Sequence, residues 1–240
     1  MATPEDVPQR ILVVTAHPDD VDFGAAGSVA AWTDAGVDVT YCVVTDGDAG
    51  GFDPAVARSE IPGIRRAEQT AAAAAVGVSE LVFLGYPDGR LVASLDLRRD
   101  IARVIRQVRP ERVVCPSPER MWDRLFASHP DHLAAGEAAL CAVYPDSRNP
   151  FAFPELLGEG LDAHVVKEVW MMASPRSSTY VDVTATFSKK LAALRSHVSQ
   201  ETDRDGKLEE RLVGWLSYNA RAAGWPEGQL AEAFFRLETG

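Results

Sequence analysis

The chain has 240 residues, of which 46% are hydrophobic and 25% are charged, and its formal net charge is −11. This composition is typical of a globular protein, and the length is compatible with one large α/β domain. The acidic charge argues against nucleic acid as the main partner, because phosphate binding needs a basic surface. No apolar run is long enough to cross a bilayer and the N-terminus has no signal-peptide pattern, so we predict a cytoplasmic protein without a membrane span.

The three cysteines, Cys42, Cys115 and Cys141, are far apart in the sequence and each lies in an apolar context. A CxxC spacing does not occur, which excludes a cysteine zinc knuckle and argues against a disulfide framework. We expect buried free thiols. Any metal site must therefore use histidine and carboxylate ligands.

The first strong motif reads RILVVTAHPDD and ends at Asp20. Residues 11–14 are apolar in succession, which predicts a strand buried on both faces. Pro18 ends this strand because proline cannot donate to the ladder. The break places His17, Asp19 and Asp20 at the carboxyl end of the strand, where open α/β sheets bind ligands. A metal ion would offset the repulsion between the two carboxylates; alternatively, they only cap the following helix.

Predicted strands and helices alternate along the rest of the chain. We expect strands at residues 11–14, 37–45, 80–84, 112–116, 165–172 and 180–184 with a closing element at 231–237, and helices at 24–35, 62–75, 95–108, 187–198 and 208–222 with another after His129. This alternation predicts a mostly parallel sheet with helices on both faces. The predicted fold class is α/β, a Rossmann-like three-layer sandwich, as a single domain over residues 1–240.

A second motif resembles the first. The tetrapeptide His129-Pro-Asp-His132 follows the fourth predicted strand, and Pro130 suits the first turn of a helix. In a doubly wound sheet, the loops after the first and fourth strands flank the crevice where the strand order reverses. We therefore expect the two motifs to face each other at the carboxyl ends of the strands.

In that arrangement His17, Asp20 and His132 would surround one point. Two imidazoles and a carboxylate with an open position are the ligand set of a catalytic zinc site, and an iron(II) site with the same set is also allowed.

The neighbouring side chains offer acid–base chemistry. Asp19 can take a proton from metal-bound water. His129, oriented by Asp131 or another acid, can stabilise an oxyanion or protonate a leaving amine. The loop from 117 to 127 is expected to form a wall or lid, and the role of His197, at the end of a predicted helix, is left open.

These motifs resemble those of the LmbE/PIG-L-like zinc-dependent N-deacetylases, which include GlcNAc-phosphatidylinositol deacetylase and the deacetylases of mycothiol and bacillithiol biosynthesis. The resemblance covers most of the chain. It rests on the two tetrapeptides and, more weakly, on Thr45-Asp-Gly-Asp48, Arg65-Arg-Ala-Glu68, Asp88-Gly89, His197-Val-Ser-Gln200 and Glu232-Ala-Phe234.

The resemblance implies a zinc-dependent enzyme that hydrolyses the linear amide C–N bond of an N-acyl amino sugar, a glycoconjugate or a related small metabolite. It implies metal ligation by His17, Asp20 and His132, a general base at Asp19 and an electrophilic or acid histidine at His129. By the same resemblance, Arg65 and Asp88 would contact the sugar. A homo-oligomer is left open.

Three other interpretations compete. Asp20-Val-Asp22 after an apolar strand imitates the DxD signature of a magnesium-dependent haloacid-dehalogenase-type phosphatase, but the histidines would then have no role. A dinucleotide-binding module would need G-x-G-x-x-G after the first strand, and the sequence lacks it there. A non-catalytic metal-binding protein would not need Asp19 and His129.

Overall fold

The computed structural model describes residues 8–200 and 203–240. Within them the strands are β1 (Arg10–Thr15), β2 (Asp38–Thr45), β3 (Glu80–Tyr86), β4 (Arg112–Pro116), β5 (Glu168–Met172), β6 (Thr179–Asp182) and β7 (Ala231–Glu238). The α-helices are α1 (Asp20–Gly24), α2 (Ala26–Asp34), α3 (Ile61–Ala75), α4 (Leu95–Val108), α5 (Pro130–Cys141), α6 (Pro154–Gly158), α7 (Phe187–Arg195) and α8 (Leu208–Ala222).

The strands form one sheet in the order β3-β2-β1-β4-β5-β7-β6. The first five of these strands pair in parallel, and β7 pairs antiparallel with both β5 and β6. The predicted mostly parallel α/β fold is confirmed. Strand order reverses between β1 and β4, so the loops that follow these two strands border the same crevice.

The consecutive apolar residues of β1 are explained by its central place in the sheet. Leu12 and Val14 pack on the face covered by α4 and α5. Ile11 and Val13 pack on the opposite face, against α2, α3 and α7. All four side chains are completely buried, and burial of a side chain of this size stabilises the fold by about 1.5–3 kcal/mol.

The helix predicted at 24–35 differs from the structure. It is divided into α1 and α2 at Ala25, and α1 begins directly at Asp20. Close packing explains the small residues here, because a Cβ on Gly24 would lie 2.5 Å from the sulfur of Met172. Helix α6 and a 3-10 turn at Leu125–Ser128 were not predicted, since such short elements carry no clear hydrophobic period.

None of the helices in residues 8–200 and 203–240 combines the length and the hydrophobicity that a membrane span requires.

Candidate active site

The two tetrapeptide motifs meet at the carboxyl ends of β1 and β4. His17 follows β1, and His132 lies in the first turn of α5. His129 is the N-cap of α5, where its Nδ1 accepts a hydrogen bond from the backbone N–H of Asp131 at 3.2 Å. Pro130 begins this helix, as expected, because its missing N–H costs nothing in the first turn.

The predicted metal ligands lie within contact distance of one another. His17 Nδ1 is 3.2 Å from His132 Nε2 and 3.5 Å from Asp20 Oδ2. His132 Nε2 is 3.0 Å from Asp20 Oδ1. The backbone N–H of His17 donates to Asp20 Oδ2 at 2.8 Å, which fixes the carboxylate toward the two imidazoles.

This donor set fits a zinc ion. Zinc–ligand distances of about 2.0–2.2 Å with tetrahedral angles put neighbouring ligand atoms about 3.3–3.6 Å apart. The observed separations, 3.0–3.5 Å when both oxygens of Asp20 are considered, lie within about 0.3 Å of that range. Three residues hold these positions, so the arrangement has the ligand number of a catalytic site rather than of a closed structural one.

The other ring nitrogen of His17 faces two carboxylates. His17 Nε2 lies 3.0 Å from Asp88 Oδ1 and 3.3 Å from Asp131 Oδ2. A carboxylate behind a metal-ligating histidine fixes the tautomer and makes the ring a better donor. Burial lowers the pKa of His17, but the charge of Asp20 and the hydrogen bonds to the three aspartates outweigh it and raise the pKa to about 12. The three carboxylates thus favour positive charge at this position, either a proton on the ring or a cation bound by the neutral imidazole.

The contacts of Asp131 differ from the expectation that its carboxylate orients His129. That carboxylate contacts His17 instead, and it accepts the backbone N–H groups of Gly89 at 2.7 Å and Leu91 at 3.2 Å. His129 is oriented by the backbone N–H of Asp131. Because Nδ1 of His129 accepts this bond, the neutral ring carries its proton on Nε2, and burial holds its pKa below the usual value.

Asp19 is held in an unusual conformation beside the predicted metal ligands. Its φ is 93°, in the left-handed region that side chains seldom adopt, at a typical cost of about 1–3 kcal/mol. Its backbone N–H donates to Gln69 Oε1 at 2.7 Å, and Arg65 Nη2 donates to its Oδ2 at 2.9 Å. Burial raises the pKa of Asp19 to about 6 although Arg65 lowers it, which suits a group that exchanges protons near neutral pH.

The helix-capping interpretation of the two aspartates is not supported by these contacts. Asp19 is the N-cap of α1, but its side chain forms no capping hydrogen bond. The Asp20 carboxylate is directed at the histidines.

Arg65 and Asp88 make contacts within the protein that the expected sugar-binding role did not predict. Arg65 lies in α3 with only 3% of its surface exposed, and its guanidinium bonds to Asp19 and to the carbonyl of Pro18. A Cβ on Gly47 would lie 2.6 Å from Arg65 Nη1, which explains a glycine in this loop. Asp88 supports His17, and a sugar contact for either residue stays a prediction.

Behind the site lies a buried polar network that the sequence did not reveal. Gln69, which accepts from Asp19, also donates to Asp22 Oδ2 at 2.9 Å, and His197 Nε2 lies 2.8 Å from the same oxygen. Lys190 Nζ donates to the Asp22 carbonyl at 2.8 Å and to Glu232 at 2.7 Å. His197 is completely buried, so it supports the site from behind rather than lining it.

In front of the site a cleft of about 1190 Å³ opens. Asp19, Asp20 and His132 lie in its lining, together with most of residues 120–127 and part of α8. The predicted wall formed by the 117–127 loop is thus observed. Trp122 and Phe126 in this loop are 82% and 78% exposed.

Two imidazoles and one carboxylate that converge on one point, with a second carboxylate beside them, are a donor set that suits a metal-dependent hydrolase. The sequence profile described as PIG-L, GlcNAc-PI de-N-acetylase, matches residues 12–143. The chain therefore belongs to the PIG-L family, and the predicted family membership is confirmed.

Relatives and solved structures agree with this assignment. The chain is 33% identical over 192 residues to a diacetylchitobiose deacetylase of Thermococcus kodakarensis, covering 80% of this chain and 70% of that protein. It is 28% identical to a 1D-myo-inositol 2-acetamido-2-deoxy-alpha-D-glucopyranoside deacetylase of Rhodococcus erythropolis, covering 81% and 82% of the two chains. A structure of N,N'-diacetylchitobiose deacetylase from Pyrococcus horikoshii superposes with a TM-score of 0.88 at 29% identity, covering 97% and 85%.

Proposed function

We propose that this chain is a zinc-dependent hydrolase that removes the acetyl group from an N-acetylglucosamine derivative. The observation that carries the proposal is the convergence of His17, Asp20 and His132 beside the Asp19 carboxylate. The deacetylase names of the relatives support the same reaction. A cytoplasmic location and the oligomeric state stay predictions.

His17, Asp20 and His132 would hold a divalent ion, which would supply a Lewis acid for the amide carbonyl and would lower the pKa of a water molecule to about 7. Asp19 takes one proton from the water molecule that attacks the carbonyl carbon. The Nε2–H of His129 donates a hydrogen bond to the oxyanion that forms. The C–N bond breaks as the nitrogen accepts the proton that Asp19 removed from the water, which releases the amino sugar and acetate.

Arg65 and Gln69 prepare Asp19 for this role. The guanidinium and the side-chain amide hold the carboxylate and the backbone of Asp19 from two sides. Substrate and catalytic groups held in a reactive geometry lose less entropy on reaching the transition state. The strained backbone of Asp19 is thus maintained by contacts that exist before the substrate binds.

The alternatives fit the contacts less well. In a phosphatase of the DxD type, Asp22 would share the metal with Asp20, but Asp22 is completely buried and bonded to Gln69 and His197. An iron(II) ion would use the same ligands as zinc, so only the metal content distinguishes the two.

The test combines metal analysis with turnover. Purified protein is analysed for zinc and iron and then incubated with N-acetylglucosamine, diacetylchitobiose and glucosaminyl-inositol derivatives while acetate is measured. We expect about one divalent ion per chain, acetate release from at least one substrate, and loss of both after chelation with recovery on adding zinc. Full activity in chelator-treated, metal-free protein would contradict the proposal.

A further inference from the structure

Two arginines that line the cleft in front of the candidate metal site, Arg120 and Arg124, have no carboxylate partner in the parts of the chain that the structure describes. We infer that this cleft binds an anionic group, a carboxylate or a phosphate, on the aglycone of the substrate, with Arg124 as the principal contact and Arg120 as a second one. The inference rests on the proposed function for the identity of the sugar, but the anion site can be tested by binding alone.

The size of the cleft indicates a substrate larger than one sugar. Pockets that enclose a drug-sized ligand have volumes of about 300–1,000 Å³. The observed volume of about 1190 Å³ exceeds this range, and the catalytic groups occupy only part of the lining. The remaining lining includes Met121, Met172, Leu212 and Trp215, which provide an apolar surface for a second moiety.

Arg124 is held between two aromatic side chains at the wall of the cleft. Its guanidinium carbon lies 5.4 Å from the ring centroid of Phe126 and 5.6 Å from that of Trp215. Rings at these distances attract a cation through their faces. Contacts of this kind restrict the side chain and leave its N–H donors free for a ligand.

Neither Arg120 nor Arg124 has an anionic partner in residues 8–200 or 203–240. Arg124 donates no side-chain hydrogen bond there, and Arg120 donates only to the carbonyl of Ser128, at 3.4 Å. Both side chains are half-buried. By contrast, Arg176 in the same lining is paired with Glu119.

Two half-buried arginines without an anionic partner are unusual in a chain that has 35 acidic and 24 basic residues. A half-buried guanidinium loses part of its hydration, and an ion pair or charge-assisted hydrogen bonds would normally compensate for that loss. A ligand anion would supply the missing partner. Arginine is well suited to this task because its planar fork matches carboxylate and phosphate geometry.

The experiment compares glucosaminides that differ only in the charge of the aglycone. The probes are 4-carboxyphenyl, 4-phosphonophenyl and 4-carbamoylphenyl glucosaminide, each as both anomers, and their affinities for the full-length zinc-loaded protein are measured by calorimetry. The carbamoyl probe has the shape of the carboxyl probe without its charge. We expect at least one anionic probe to bind about tenfold or more tightly than the neutral probe, with a ratio that falls as salt is added.

Variants test whether Arg124 and Arg120 cause the tighter binding of the anionic probes. Arg124→Gln should reduce the affinity ratio of anionic to neutral probe to about one to two, and Arg120→Gln should reduce it less. The matched control is Arg99→Gln, because Arg99 lies on α4 and pairs with Asp96 and Asp100 outside the cleft lining. That control should keep the parent ratio. Melting temperatures establish that each variant is folded.

Each outcome of these measurements either supports or overturns the inferred anion site. Equal affinities of the parent for the charged and neutral probes overturn the inference without any variant. A ratio that survives in folded Arg124→Gln also overturns it. The corresponding N-acetyl probes separate this inference from the proposed function: absence of acetate release with a clear anion preference contradicts only the reaction, and acetate release without that preference contradicts only the anion site.

Discussion

The polar groups behind the candidate metal ligands and those in front of them are arranged in opposite ways. Behind the site, Gln69, Asp22, His197 and Lys190 are buried and bonded to one another or to the backbone. In front of it, Trp122 and Phe126 are exposed, and Arg120 and Arg124 have no carboxylate partner in the described parts of the chain. The comparison indicates that the interior fixes the reacting groups, whereas the cleft is left to be completed by the substrate.

The same comparison predicts which changes abolish the reaction. His132→Ala removes one of three ligands, and we expect loss of the metal and of activity to below one hundredth of the parent rate, since even outer-shell partners change metal affinity or activity by about 10–100-fold. Metal content and acetate release measure the effect. Full zinc occupancy with parent activity in this variant would remove His132 from the site.

The buried network should influence the rate without influencing substrate affinity. Gln69→Ala removes the side chain that holds the Asp19 backbone, and we expect kcat to fall about 10–100-fold while KM and zinc content stay within twofold. The matched control is Gln107→Ala, because Gln107 is exposed on α4. A lower melting temperature with unchanged kcat would show that Gln69 is only structural.

The free energy of unfolding should respond more strongly to changes in the buried network than to changes in the cleft. His197→Ala leaves the buried Asp22 carboxylate with one side-chain partner fewer, and we expect it to lower the free energy of unfolding by about 1–3 kcal/mol. Urea unfolding monitored by circular dichroism gives this value. A loss below about 1 kcal/mol would mean that the network is not tightly coupled.

The smallest effect is expected at the exposed wall. Trp122→Ala removes an aromatic ring that is 82% exposed, so the free energy of unfolding should change by less than about 0.5 kcal/mol. The KM for an aryl glycoside should rise several-fold if the ring contacts the aglycone. Steady-state kinetics on aryl and methyl glycosides test this, and an equal change for both glycosides would contradict the contact.

Much of the fold could be predicted because the signals are local. The apolar run of β1 and the regular spacing of strands and helices specify a parallel sheet, and the sheet brings the two tetrapeptides together. The contact between Asp19 and Gln69 could not be predicted, because a single glutamine in an alanine-rich helix has no distinctive spacing. The convergence of the Asp88 and Asp131 carboxylates on His17 could not be predicted either, because their positions depend on tertiary packing.

The central claim is that two adjacent aspartates have different roles, and a comparison of Asp19→Asn with Asp20→Asn tests it most directly. We expect Asp19→Asn to keep about one zinc ion per chain and to lower kcat by about 10²–10⁴. We expect Asp20→Asn to lose zinc and to lose activity as a consequence. The phosphatase alternative instead requires covalent modification of Asp20. If Asp19→Asn deacetylates its substrate at the parent rate with zinc in place, Asp19 is not the general base and the proposed mechanism is wrong.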